Sequence, residues 1–181
     1  TRQWAPCYWV TGHEQGNSTA VDRNGNVYLA GFTNSTSGIA SGGHQNANGG
    51  SEDAFLVKFN ASGARQWATY YGGTGTDQGN STAVDGSGNA YLAGATWNSA
   101  GIASGGHQNI NGGSTDAFLV KFNASGTRQW ATYYGGTGDD RGQSTAVDGS
   151  GNAYLAGYTN STSGIASVGH QHANGGGNDA F

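Results

Sequence analysis

Three histidines, His44, His107 and His170, stand in the same Gly-His-Gln setting, and repeated imidazoles raise the question of a metal. A zinc site gathers several His, Cys or carboxylate ligands at one point. No acidic or cysteine partner lies at ligand spacing here, and equivalent positions on successive repeats are spread apart. The expected role is an imidazole that fixes a long loop through hydrogen bonds, with contact to a ligand as the competing role. Calcium is the second possibility to weigh. Gly72–Asp77 and Gly135–Asp140 imitate the opening of the calcium-binding nonapeptide, Gly-Gly-x-Gly-x-Asp. That motif works in tandem, each coil completing its neighbour's shell, whereas here it is solitary. Asp77, Asp139 and Asp140 are therefore weak calcium candidates, and no cofactor is expected.

The carboxylates give no acid/base pair either. Asp139 and Asp140 are adjacent on a loop, which does not make one a proton donor to the other's substrate. Asp22, Asp85 and Asp148 each open a Gly/Asn-rich turn. They could ring a channel mouth, but Asp in that place ordinarily caps its own turn. No Ser-His-Asp arrangement, nucleophile elbow or phosphate-binding loop is present. The chain is expected not to be an enzyme. Trp97 is the remaining candidate, an indole in an Asn/Ser/Gly loop that could stack on a sugar face or pack on the next structural unit.

The elements that position these residues recur at a fixed interval. Trp4, Trp67 and Trp130 are 63 residues apart, and so are Phe55, Phe118 and Phe181. Such a period decides the architecture. Ala54–Asn60 alternates, with Phe55, Val57 and Phe59 on one side and Leu56 and Lys58 on the other. Arg65–Tyr71 is aromatic and β-favouring, with Trp67, Thr69 and Tyr71 sharing one face. Thr74–Gly79 is expected to be a loop and Asn80–Asp85 a short strand of small residues. Asp85-Gly-Ser-Gly-Asn89 reads as a hairpin turn into the return strand Ala90–Thr96. A long Gly-rich loop, Trp97–Thr115, follows. The four strands per repeat suggest an all-β fold of β-propeller blades, Ser81–Val84 near the axis and Gln66–Tyr71 at the outer edge. The units are 1–63, with a divergent start, 64–126, and 127–181, which is truncated. Within this division Arg65–Gly94 holds three strands and two turns of one blade.

The run DAFLVKFNASG, RQWATYYGGTGTD, GNSTAVDGSGNAYLAG resembles the SBBP repeat, a bacterial β-propeller repeat. The matching positions include Asp116, Ala117, Phe118, Lys121, Thr132, Tyr133, Gly135, Gly136, Asp140, Val147, Asp148, Gly151, Asn152, Tyr154, Gly157 and Thr159. The resemblance implies a secreted or surface-attached location and transfers no catalytic residue. Two departures stand out. The first repeat has Pro6-Cys-Tyr-Trp-Val10 and His13-Glu14 in place of the usual Tyr-Tyr-Gly-Gly and Thr-Asp. Cys7 there replaces a strand tyrosine. The loop after the last Thr reads GIASGGHQ where the family often carries Pro.

Composition excludes several partners. Net charge is −4 with only Lys58 and Lys121 as lysines, so no basic patch can neutralise a phosphate backbone, and nucleic acid is not expected. Apolar runs are a few residues long, so no membrane insertion is expected. The 35 glycines read as turn punctuation, because the aromatics recur at fixed places, unlike those of a disordered chain. Three repeats do not close a propeller, which needs ~4–8 blades. The expected partners are other copies of the chain or further repeats of a longer protein, and surface glycans on the competing reading. The expected function is a non-catalytic extracellular scaffold or adhesive, self-assembling module. The alternative is a lectin-like propeller binding carbohydrate through interblade loops at Trp97, His44, His107 or His170.

Overall fold

The computed structural model describes residues 4, 8, 10–166, 169, 171 and 173–181. The described strands are β1 (Glu14–Val21), β2 (Val27–Thr33), β3 (Asp53–Phe59), β4 (Arg65–Tyr71), β5 (Asp77–Val84) and β6 (Ala90–Thr96). They continue with β7 (Asp116–Phe122), β8 (Arg128–Tyr134), β9 (Asp140–Val147), β10 (Ala153–Thr159) and the short β11 (Asp179–Ala180). They form three antiparallel sheets, β1-β2-β3-β4, β5-β6-β7-β8 and β9-β10-β11, with no helix among the described residues. The sheets are propeller-like blades in an unclosed array. The inner strands β1, β5 and β9 stack on one another in turn.

The sheets are out of phase with the 63-residue units. Hydrogen-bond pairing joins β4 to β3 and β8 to β7, so each of the first two blades takes its outermost strand from the start of the following unit. Arg65–Gly94 therefore straddles two blades: β4 closes the first, while β5 and β6 open the second. The inner strand also starts earlier than its small residues suggest. Asp77 is already paired with Thr96, so the last three residues of the expected Thr74–Gly79 loop belong to the strand.

Each inner strand carries a bulge, with a register shift at Gly16/Ser18 in β1 and Gly79/Ser81 in β5. A bulge frees one residue from the ladder and re-aims its side chain. Here the freed residues are Asn17 and Asn80. Their amides cross to the next blade, Asn17 Nδ2 donating to Gly79 O at 2.9 Å and Asn80 Nδ2 to Gly142 O at 2.8 Å. Opposite the bulge only glycine fits, since a Cβ on Gly94 would stand 1.8 Å from Gln78 O.

The cores lie between the blades. Tyr28, Leu56, Trp67 and Tyr71 of the first blade pack with Leu92, Phe118, Val120 and Phe122 of the second. Alternation holds as read: Phe55, Val57 and Phe59 face the other way, into a cluster that also takes Trp4, Tyr8 and Val10. Both faces of a blade are thus apolar, which is why its strands lack a polar side.

Candidate functional site at the blade seams

Two side-chain bonds recur at the seams. The indole of Trp67 donates to Ala124 O at 3.0 Å, and Trp4 makes the same bond to Ala61 O. The Tyr71 hydroxyl donates to Ile102 O at 2.5 Å, as Tyr8 does to Ile39 and Tyr134 to Ile165. Within the blade, Tyr28 stands edge-on to Trp67 and Tyr91 to Trp130. The long loop runs back along the outer strand, where Ser41 bridges Ala68 and Gln45 bridges Tyr70. It covers backbone groups that a bare edge strand would offer to another chain.

His44 belongs to this packing. Its ring lies 6.5 Å from that of Tyr71 and 6.4 Å from that of Phe122, across the seam between the first two blades. Burial, with the Arg128 charge, holds its pKa below the usual histidine range. His107 occupies the corresponding place in the next loop and is exposed. His170 and Cys7 lie outside the described residues. Among the described residues no three His, Cys, Asp or Glu side chains converge to hold a metal ion.

Carboxylates serve as anchors for the loops. Asp77 Oδ2 accepts from Gly73 N at 2.8 Å and Asn98 Nδ2 at 2.6 Å. Asp140 accepts from Gly136 N, Ser161 Oγ and Thr159 Oγ1. Glu14, which departs from the repeat, does the same work with a longer arm: it accepts from Thr33 Oγ1, Ser35 Oγ and Val10 N. Asp139 points away from Asp140 and pairs with Arg141, Nη2 to Oδ2 at 3.2 Å. The three weak calcium candidates are thus held in separate roles, with Asp77 on one seam and Asp139 and Asp140 on the next.

The turn aspartates cap their turns. Asp85 Oδ1 accepts from Ser87 N and Asn89 N, and its Oδ2 from Asn89 Nδ2 and Tyr91 OH. Asp22 and Asp148 repeat the pattern. Partial burial would raise the pKa of Asp22 and Asp85, but these hydrogen bonds outweigh it and hold both below the usual carboxylate range. Gly88 takes the turn's left-handed position at φ +79°, while Asn89 does not. The three turns do come together, with Val21, Asp22, Arg23 and their equivalents lining one shallow end of the inner strands.

Trp97 is 36% exposed and packs on the next blade, the Arg141 guanidinium lying 4.8 Å over its ring. Trp97, Arg141 and Asp139 all break the repeat, standing where other units have Asn, Gln and Thr or His. Arg141 escaped the sequence reading, although its replacement of Gln78 in a nearly identical unit was a visible signal.

Asp53 and Asp116 also escaped it. Both open strands, both are fully buried, and among the described residues no Lys, Arg or His neutralises either. Asp53 Oδ2 accepts from Gln45 Nε2 at 2.7 Å and Gly49 N at 2.9 Å, and Asp116 makes the matching pair with Gln108 and Gly112. Burial, followed by the charge of Asp77 or Asp140, pushes each pKa up to about 6 against these hydrogen bonds. The available signal was an Asp heading a strand that is apolar but for one lysine, in a chain with only seven Lys and Arg.

Comparison with known proteins gives one family. The model of SBBP, a beta-propeller repeat, matches residues 66–99 and 129–164. No curated protein matches the chain.

Proposed function

This chain belongs to the SBBP beta-propeller repeat family, and from that premise we propose that it is a non-catalytic extracellular scaffold. In this reading its blades are structural units that add further blades, either later repeats of the same protein or other copies. The repetition of identical seam bonds every 63 residues carries the reading, because polar side chains are committed to holding loops and neighbours. Tyr28 and Tyr91 are fully buried, whereas Tyr154 in the third sheet is 56% exposed beside Tyr134, Leu155 and Phe181. That apolar surface fits the strands and indole that cover its counterparts. The extracellular, surface-attached and adhesive setting rests on the resemblance of the repeats.

Hydrogen exchange on the native protein, read beside its assembly mass, tests the proposal. β10 amides should be protected, and Tyr154→Arg should remove that protection and the added blades together. A native soluble monomer with β10 unprotected would overturn it. A lectin-like role is the second reading, favoured by Trp97 in a polar loop beside Arg141 and Asp139. Glycan-array binding that Trp97→Ala abolishes would support this reading, and an intact protein that binds no glycan would remove it.

A further inference from the structure

We propose that each blade seam is a proton-binding clasp, in which Asp53 facing Asp77, and Asp116 facing Asp140, hold one proton per seam. The geometry comes first. Asp53 and Asp77 belong to adjacent blades and flank Gly72: the point where a Cβ of Gly72 would stand is 2.6 Å from Asp53 Oδ1 and 2.6 Å from Asp77 Oδ2. Both side chains are fully buried. Every N–H donor at Asp53 goes to Oδ2, which leaves Asp53 Oδ1 buried with no partner, and Asp77 Oδ1 is buried without one too. In the second seam Asp116 Oδ1 is likewise unpartnered, 2.5 Å from the point where a Cβ of Gly135 would stand, while Asp140 accepts on both oxygens, from Thr159 Oγ1, Ser161 Oγ and Gly136 N. What the seam lacks is a donor. A protonated carboxyl supplies one, since its O–H donates where a carboxylate only accepts.

The groups around the pair do not supply a counter-charge. Asp53 is faced by Gln45, Gly49 and Gly50 of its loop and by Asp77 of the next blade. Tyr70 on β4 feels the Asp53 charge, and Tyr133 on β8 feels those of Asp77 and Asp116, both as repulsion. Arg128 acts on Tyr71, not on the carboxylates. Among the described residues the ion pairs are Lys121 with Asp85 and Arg141 with Asp139, outside the clasp. A divalent cation is a poorer fit than a proton. Calcium takes six or more oxygens, yet the Oδ2 atoms of Asp53 and Asp77 already accept from N–H donors, and the space over Gly72 does not admit even a methyl group.

The clasp has a definite sign. A carboxyl that is harder to ionise in the folded protein than in the unfolded chain holds its proton longer in the folded state. The contribution is complete below the unfolded value, about 3.9, and is lost as pH rises to the folded value, near 6. The two values differ by about two pH units, so each seam should change the folded-to-unfolded ratio about a hundredfold. Mildly acidic surroundings tighten the array and neutral ones loosen it.

Urea unfolding of the whole chain from pH 4 to 8 tests this, comparing the native sequence with Asp53→Asn/Asp116→Asn. The double variant places a permanent N–H donor in each clasp. The native protein should lose stability between about pH 4 and 6, while the variant, which keeps Asp77 with its pKa raised by burial, should lose clearly less there and exceed it at pH 7. A native protein with no loss in that window, or a variant that keeps the slope, would overturn the proposal. Carbon-13 NMR of the Asp carboxyls in the native protein gives a readout free of any substitution. Two should titrate near 6, and all titrating below 5 overturns the clasp. Stabilisation by calcium at pH 7 that the double variant loses would make the pair a cation site and also overturn it.

Discussion

Replacing Trp67 by Ala removes an indole that the first blade lends to the second. Trp67 is 4% exposed, stands edge-on to Tyr28, contacts Phe122 across the seam and donates to Ala124 O at 3.0 Å. A buried Trp→Ala change costs about 3–5 kcal/mol, because transfer energy is lost and the surrounding side chains collapse only partly. Trp130 is the informative control. It lies in the same RQWATYY string and keeps its own edge-on partner Tyr91, but it is only half-buried. Without the contacts across the seam, Trp130→Ala should cost roughly 1–2 kcal/mol. Urea midpoints by far-UV circular dichroism, on dilute monomer of the 181-residue chain, should separate the two variants by about 2 kcal/mol. Equal losses would refute the idea that burial across the seam, rather than the local strand, gives this indole its weight.

Three further outcomes follow from the geometry. Gly94→Ala should prevent the second blade from forming, since its Cβ would fall 1.8 Å from Gln78 O, and hydrogen exchange would show β5 and β6 unprotected. Tyr71→Phe removes the donor to Ile102 O and should cost about 1 kcal/mol in urea unfolding, with the ring packing unchanged. At the acid end, Asp22 and Asp85 have folded pKa values below their unfolded ones. Their contribution is present above about pH 4 and is lost as pH falls further. Asp22→Asn/Asp85→Asn should therefore shrink the fall in thermal midpoint between about pH 4 and 2, a window separate from that of the clasp.

Much of the fold was legible because short-range chemistry carries it. The β4 and β6 spans follow from apolar alternation bounded by glycine, and the Asp85–Asn89 turn from an Asx cap and one positive φ. The two faces of β3 were readable from period-two alternation, since a strand between two blades buries both. The place of His44 was not legible: its ring stands beside those of Tyr71 and Phe122 at a seam, a packing contact that no spacing within its loop announces. Glu14 stood out only as a departure from the repeat, and only the packing shows that its longer arm reaches the Thr and Ser equivalent to those at Asp140.

By itself the sequence determined the period, the strands and the turns, because these depend on neighbours a few residues away. It could not determine the phase of the blades, since a periodic string looks the same wherever it is cut. Hydrogen-bond pairing of β4 with β3 sets that phase. The tertiary structure likewise decided that Trp97 meets Arg141 and that Asp53 faces Asp77. These pairs come from different blades, and they meet because β5 stacks so closely on the first blade that a Cβ on Gly79 would stand 2.7 Å from Gly31 O. Burial of a charge is a property of that stacking, and no local pattern of residues encodes it.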